Sequence, residues 1–196
     1  MKKIILIVFF ALITLNAQKI PYPKGNITVN FNQITSYQLN ELKKEYKNVY
    51  CEVSFGIYDM YTDKDYFIDN ANLNKNSVIG KENRYVINIK STQIKNLVSA
   101  YVSQSQSQGC TQILLTNFNV VDYKNDFNIS IYDIEELFAY IKKVSSNYGV
   151  EVYLEKNEFI SKEMEKLLKL LKINPDNYID TTHMDNFLDG FDPYLF

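Results

Sequence analysis

The sequence predicts a single α/β domain, a mostly parallel sheet of about five strands carrying four helices. Three observations lead there. Short β-rich runs alternate with helical stretches of more than ten residues, the layout of parallel crossovers rather than hairpins. The run Ile113-Leu114-Leu115 is continuously apolar, as in a strand covered on both faces. Two later stretches share one layout: strand, serine cap, amphipathic helix, single glycine, strand. A length of 196 residues, 46% of them hydrophobic, suffices for one such core and is short for two.

The chain opens on Met1-Lys2-Lys3 and an apolar run from Ile4 to Leu15 broken only by Thr14. Those twelve residues as a helix would span ~18 Å, well short of a ~30 Å hydrocarbon core. They read as a secretory signal peptide over residues 1–17, with Ala17 as the small residue at the cut. The expectation is a soluble mature protein, periplasmic or secreted, without membrane attachment. The α/β domain then covers 18–175, and 176–196 forms an acidic, aromatic C-terminal segment with five aspartates and no lysine. Its apolar content suggests partial order, because a disordered acidic tail should be poor in hydrophobics.

Each helix has a start signal. Thr35 caps the first, about Ser36–Lys47, with Gln38 at the third position and Ile34 and Leu39 as a staple. The second, about Thr92–Gln108, places Ile94, Leu97, Val98, Tyr101 and Val102 on one face and stops at Gly109. The third, about Ile131–Tyr148, is capped by Ser130 with Asp133 at the third position, and it ends at Gly149. The fourth, about Lys162–Lys172, turns Met164, Leu167, Leu168 and Leu171 inward. The strands are expected at Ile27–Phe31, Val49–Ile57, Tyr85–Ile89, Gln112–Asn117 and Val150–Leu154. The polar stretch Asp59–Asn83 reads as an irregular insertion, with Tyr66-Phe67-Ile68 as a further edge strand.

Composition excludes several function classes. The formal charge of −2 falls further once Lys2 and Lys3 leave, against nucleic-acid binding, which rests on phosphate neutralisation. Six single glycines form no phosphate loop or dinucleotide fingerprint. One histidine, His183, and two cysteines exclude a dedicated Cys/His zinc site. Asp185–Gly190 opens like a calcium loop, but Phe187 and Phe196 occupy ligand positions, so a turn is the better reading. No cofactor is expected. Asn is abundant because Asn, Lys, Ile and Tyr rise together in AT-rich genes. Export favours pairing Cys51 with Cys110, and closing that 59-residue separation is worth ~4 kcal/mol on the chain-entropy model.

Ligands of open α/β sheets bind beyond the carboxyl ends of the strands. There the sequence places three acidic loops, with Asp59, Asp63 and Asp65, then Asp122 and Asp126, then Glu155 and Glu158. Tyr58, Tyr61, Tyr66, Phe67, Tyr123 and Phe127 interleave with them. With no nucleophile, metal-ligand or phosphate motif, the first reading is a binding protein, inhibitor- or immunity-like. It recognises a basic protein partner through Tyr58, Tyr61, Asp63, Asp65, Tyr123 and Asp126. The alternative is a carboxylate-dependent, glycan-directed hydrolase using Glu155 with Glu158, Asp59 or Asp122. The step Tyr148-Gly149-Val150-Glu151-Val152-Tyr153-Leu154-Glu155 is similar to helix–glycine–strand–glutamate steps of sugar-hydrolysing barrels. It is too common to name a family, and a full eightfold barrel needs more strands than the five visible here. Arg84, just before an expected strand, is assigned to the opposite end of the sheet from this cleft.

Overall fold

The computed structural model describes residues 24–54, 56–61, 68–78, 82–117, 120–123, 126–156, 162–171, 178–181 and 184–186. The leader, Asp63, Asp65, Glu158 and His183 lie outside them, as does the Tyr66–Ile68 edge strand apart from Ile68, which is buried.

The main layer is a parallel sheet. Its strands are β1 (Lys24–Asn30), β2 (Tyr46–Ser54), β6 (Gln112–Thr116), β7 (Glu151–Lys156), β8 (Tyr178–Asp180) and β9 (Asp185–Asn186), in the order β8-β7-β6-β2-β1-β9. The expected α/β class and parallel pairing are present. Both edge strands come from the acidic C-terminal segment, which therefore contributes to the sheet. Residues 181–184 alone join the two edges, so Asp180 and Asp185 lie at most ~19 Å apart along the chain. A flat sheet of six strands would hold its edges ~24 Å apart. The sheet must curl into a half-barrel with one concave face.

The four expected helices are present: α1 (Ser36–Glu45), α2 (Thr92–Gln108), α3 (Ile131–Asn147) and α4 (Lys162–Leu171). Thr35 and Ser130 each complete a reciprocal capping box, with Gln38 and Asp133. Gly109 ends α2 in the left-handed region at φ 104°. The one-residue alternation of strands sorts the side chains. Val49, Cys51, Val53, Ile113 and Leu115 join the core shared with Leu39, Ile94, Ile134 and Leu137 of the helices. Their neighbours Thr28, Tyr50, Glu52, Leu114 and Tyr153 occupy the opposite, concave face.

Two expectations need correction. The run Val49–Ile57 is not one strand: β2 stops at Ser54, and Ile57–Asp59 forms β3 of a second sheet. Gly56 makes the break at φ +79°, where an added Cβ would meet Val120 at 3.0 Å. Nor does Tyr85–Ile89 join the parallel sheet. It forms β5 (Arg84–Ile87), antiparallel to β3 and to β4 (Leu73–Ser77), in the order β3-β5-β4. The insertion thus builds a wall on the carboxyl end of β2. Alternation alone does not tell a strand of the main sheet from one of a small added sheet.

Cys51 and Cys110 form a disulfide that pins the centre of β2 to the segment entering β6. Both residues are buried in the core. The double variant Cys51→Ser/Cys110→Ser is expected to lose about 2–4 kcal/mol of stability in urea denaturation. Reducing agent should reproduce that loss in the native chain and leave the variant unchanged.

Candidate active site

The carboxyl ends of β1, β2 and β6 and the β3–β5 wall enclose a cleft of about 230 Å³. Its polar lining includes Asn30, Glu52, Ser54, Asp59, Arg84 and Asn117. Glu52 enters because it alternates with Cys51 and Val53, whose burial against the helices turns it to the concave face. Asn30 stands beside it on β1, and Leu114 on β6.

Glu52 is half-buried, and burial pushes its carboxyl above the ordinary range. A hydrogen bond from the buried Thr28 side chain opposes that shift, and the charge of Glu155 adds to it. Glu155 does not line the cleft. It stands on the same face two strands away, held by Thr181 Oγ1, which donates to its Oε1 at 3.1 Å. Glu52 is level with Leu114, and Leu114 with Tyr153, two residues before Glu155. Ideal strand spacings put the two Cα atoms roughly 12 Å apart. The strand between them ends at Thr116, and Asn117 follows it. Asn117 adopts φ 55°, and its Nδ2 donates to Ser54 Oγ at 3.1 Å. Ser54 in turn donates to the Ile57 carbonyl at 2.8 Å, tying the floor of the cleft to its wall.

Below the glutamates the concave face is plugged. Tyr50, Leu114 and Tyr153 fill it, with the two rings edge to face at 5.2 Å. The Tyr153 hydroxyl donates to Glu151 Oε2 at 2.7 Å, and that bond, with burial, pushes its pKa up to about 12. Solvent therefore reaches this face from the strand ends. Among the described residues, no three His, Cys, Asp or Glu side chains group as a metal site requires.

The sequence candidates scatter differently. Asp59 lines the cleft, but its Oδ2 accepts from Arg84 Nε at 2.7 Å and its Oδ1 from the Tyr61 N–H at 2.9 Å. Arg84 is thus in the cleft wall, and its assignment to the opposite end is corrected. Asp122 ends a 3-10 turn, Val120–Asp122, after β6. Tyr58 and Tyr123 are half-buried and packed against the core, while Asp126 and Tyr61 are exposed. No flat tyrosine face forms among the described residues. Glu52 was absent from the candidates, though its signal is legible: one carboxylate inside an otherwise buried run, Val49-Tyr50-Cys51-Glu52-Val53.

Residues 11–172 match the model of glycoside-hydrolase family GH114. The chain belongs to family GH114. Membership overturns the protein-recognition reading and its basic protein partner, and it points to a glycan. Its physical counterpart is the cleft, where carboxylates stand inside a concavity rather than on an exposed rim. No curated protein matches the chain. Two solved structures share the GH114 chain's fold. Ega3 of Aspergillus fumigatus, solved as a complex with galactosamine, has a TM-score of 0.62 at 16% identity, over 78% of this chain and 67% of that one. The glycoside hydrolase domain of PelA from Pseudomonas aeruginosa has a TM-score of 0.58 at 10% identity, over 75% of this chain and 55% of that one. The GH114 chain spans about two thirds of the first and about half of the second.

Raised in the folded state, the Glu52 pKa makes ionisation oppose folding. The penalty is absent below the unfolded carboxylate value of about 4.3 and grows as pH rises through the folded one. Glu52→Gln is therefore expected to melt higher than the native chain at pH 7. The difference should close as pH falls below about 4. Equal melting temperatures at both pH values would show that Glu52 is not held against its charge.

Proposed function

We propose that this chain hydrolyses glycosidic bonds in an amino-sugar polymer outside the cytoplasm, with Glu52 as general acid and Glu155 as the opposing carboxylate. One observation carries the assignment: Glu52 lines the cleft half-buried, on the same concave face as Glu155, and burial, with the nearby Glu155 charge, pushes its carboxyl above the ordinary range, as suits a proton donor. Glu52 gives its proton to the glycosidic oxygen as the bond to the anomeric carbon breaks. The Glu155 carboxyl faces the positive charge that develops on the sugar ring, a water molecule forms the new bond to the anomeric carbon, and the proton it gives up restores the acid. Thr28, donating to Glu52, limits how far its pKa rises and positions the carboxyl.

Charge supports the substrate class. Arg84 is neutralised by Asp59 in the wall, so carboxyls rather than a free cation face the concave side, which favours a cationic sugar. A related structure, Ega3, was solved with galactosamine, an amino sugar. The buried disulfide and the cationic, apolar opening of the chain support export. Under this reading residues 1–17 are removed, and the domain acts on glycan in an oxidising compartment.

The test is reducing-end release from galactosamine polymers. Glu52→Gln and Glu155→Gln should each lower kcat by about 10²–10⁴-fold, the range for a general acid or base. Thr28→Val removes a bond that stabilises the charged Glu52. It should move the alkaline limb of the kcat profile to higher pH, since the acid then holds its proton longer. Full activity in either glutamine variant would sink the assignment.

A further inference from the structure

The insertion presents an aromatic group that the cleavage chemistry does not use. Ile57 and Asp59 on β3 line the cleft, and Tyr61 follows two residues on, past the end of the strand. Tyr61 is 73% exposed, yet its backbone and its hydroxyl are each held by one hydrogen bond. The Tyr61 N–H donates to Asp59 Oδ1 at 2.9 Å, and Asn83 Nδ2 donates to its hydroxyl oxygen at 3.3 Å. Asn83 holds the left-handed conformation at φ 66°, and its carbonyl accepts from the Met60 N–H at 3.0 Å. The other oxygen of Asp59 accepts from Arg84 inside the cleft. One carboxylate therefore ties the rim tyrosine to the wall of the site.

This arrangement leaves a large apolar surface in water while restricting its motion. A side chain held in place before contact loses less conformational freedom when a ligand arrives. Tyrosine combines an apolar ring face with a polar edge, which suits the apolar face and hydroxyl rim of a pyranose.

We propose that Tyr61 is a stacking subsite for a sugar residue outside the cleavage point, built by the β3–β5 insertion and positioned by Asp59 and Arg84. The proposal rests on the hydrolase reading above. The subsite takes a neutral or amino pyranose within the same polymer chain. It acts on long substrates, because Tyr61 follows the lining residues Ile57 and Asp59 and is not itself part of the cleft lining.

The test compares native chain, Tyr61→Ala and Tyr61→Phe on galactosamine oligomers from dimer to octamer. KM is measured for cleavage, and Kd by calorimetry in the Glu52→Gln background. Tyr61→Ala is expected to raise KM and Kd for the octamer about three- to tenfold more than for the dimer. Tyr61→Phe keeps the ring and should stay within about twofold of the native chain at every length. Equal effects of Tyr61→Ala at all lengths, or a loss in Tyr61→Phe as large as in alanine, would overturn the subsite while leaving the hydrolase reading intact. If the native chain neither binds nor cleaves any of these oligomers, both fall together.

Discussion

Everything at the candidate site depends on the curl of one parallel sheet. Residues 181–184 tie together the strands at its two edges, and so short a connection cannot reach across a flat sheet of six strands. Curl gives the sheet an inside. Strand alternation then decides which residues occupy it, because the helices claim Cys51, Val53, Ile113 and Leu115 for the core. Glu52 has no freedom to point elsewhere: its two neighbours are committed to the apolar side.

The same constraint explains the chemistry. A carboxyl on a convex, solvated surface would keep its ordinary pKa. On the concave face Glu52 loses water, gains one donor in Thr28, and shares its surroundings with a second carboxylate. The tyrosine plug at Tyr50 and Tyr153 closes the face from below. The site opens where β1, β2 and β6 end, the place that parallel sheets reserve for ligands. The disulfide adds rigidity at a related point, joining β2 one residue before Glu52 to the chain that enters β6.

Much of this is legible in the sequence. The helices announce themselves through side-chain chemistry local to each cap: Thr35 with Gln38, Ser130 with Asp133, and Gly109 with its positive φ. The strands of β2, β6 and β7 are visible because burial imposes a pattern within five residues. What is not legible is pairing. Arg84 and Asp59 are 25 residues apart and meet only because β3 and β5 run antiparallel. Tyr178–Asp180 and Asp185–Asn186 are too short and too polar to be read as strands, yet they close the sheet. Acidic loops are a weak signal, because loops hold many carboxylates. The single glutamate within a buried strand was the stronger signal, since an ionisable group there opposes folding unless function retains it.

Asn117, Ser54 and the Ile57 carbonyl form a continuous chain of hydrogen bonds from the end of β6 to the start of the wall. Asp59 and Arg84 continue it toward the rim. Both ends of this chain include asparagines in the left-handed region, Asn117 and Asn83, a conformation asparagine tolerates better than other side chains. Such backbone is retained where neighbouring contacts over-determine it. The wall is thus coupled to the strand ends by polar contacts rather than by a shared sheet. Beneath those contacts the insertion buries Ile57, Val78, Val86 and Ile87 in the same apolar core as the main sheet, so the wall beside Glu52 is held by polar contacts above and apolar packing below.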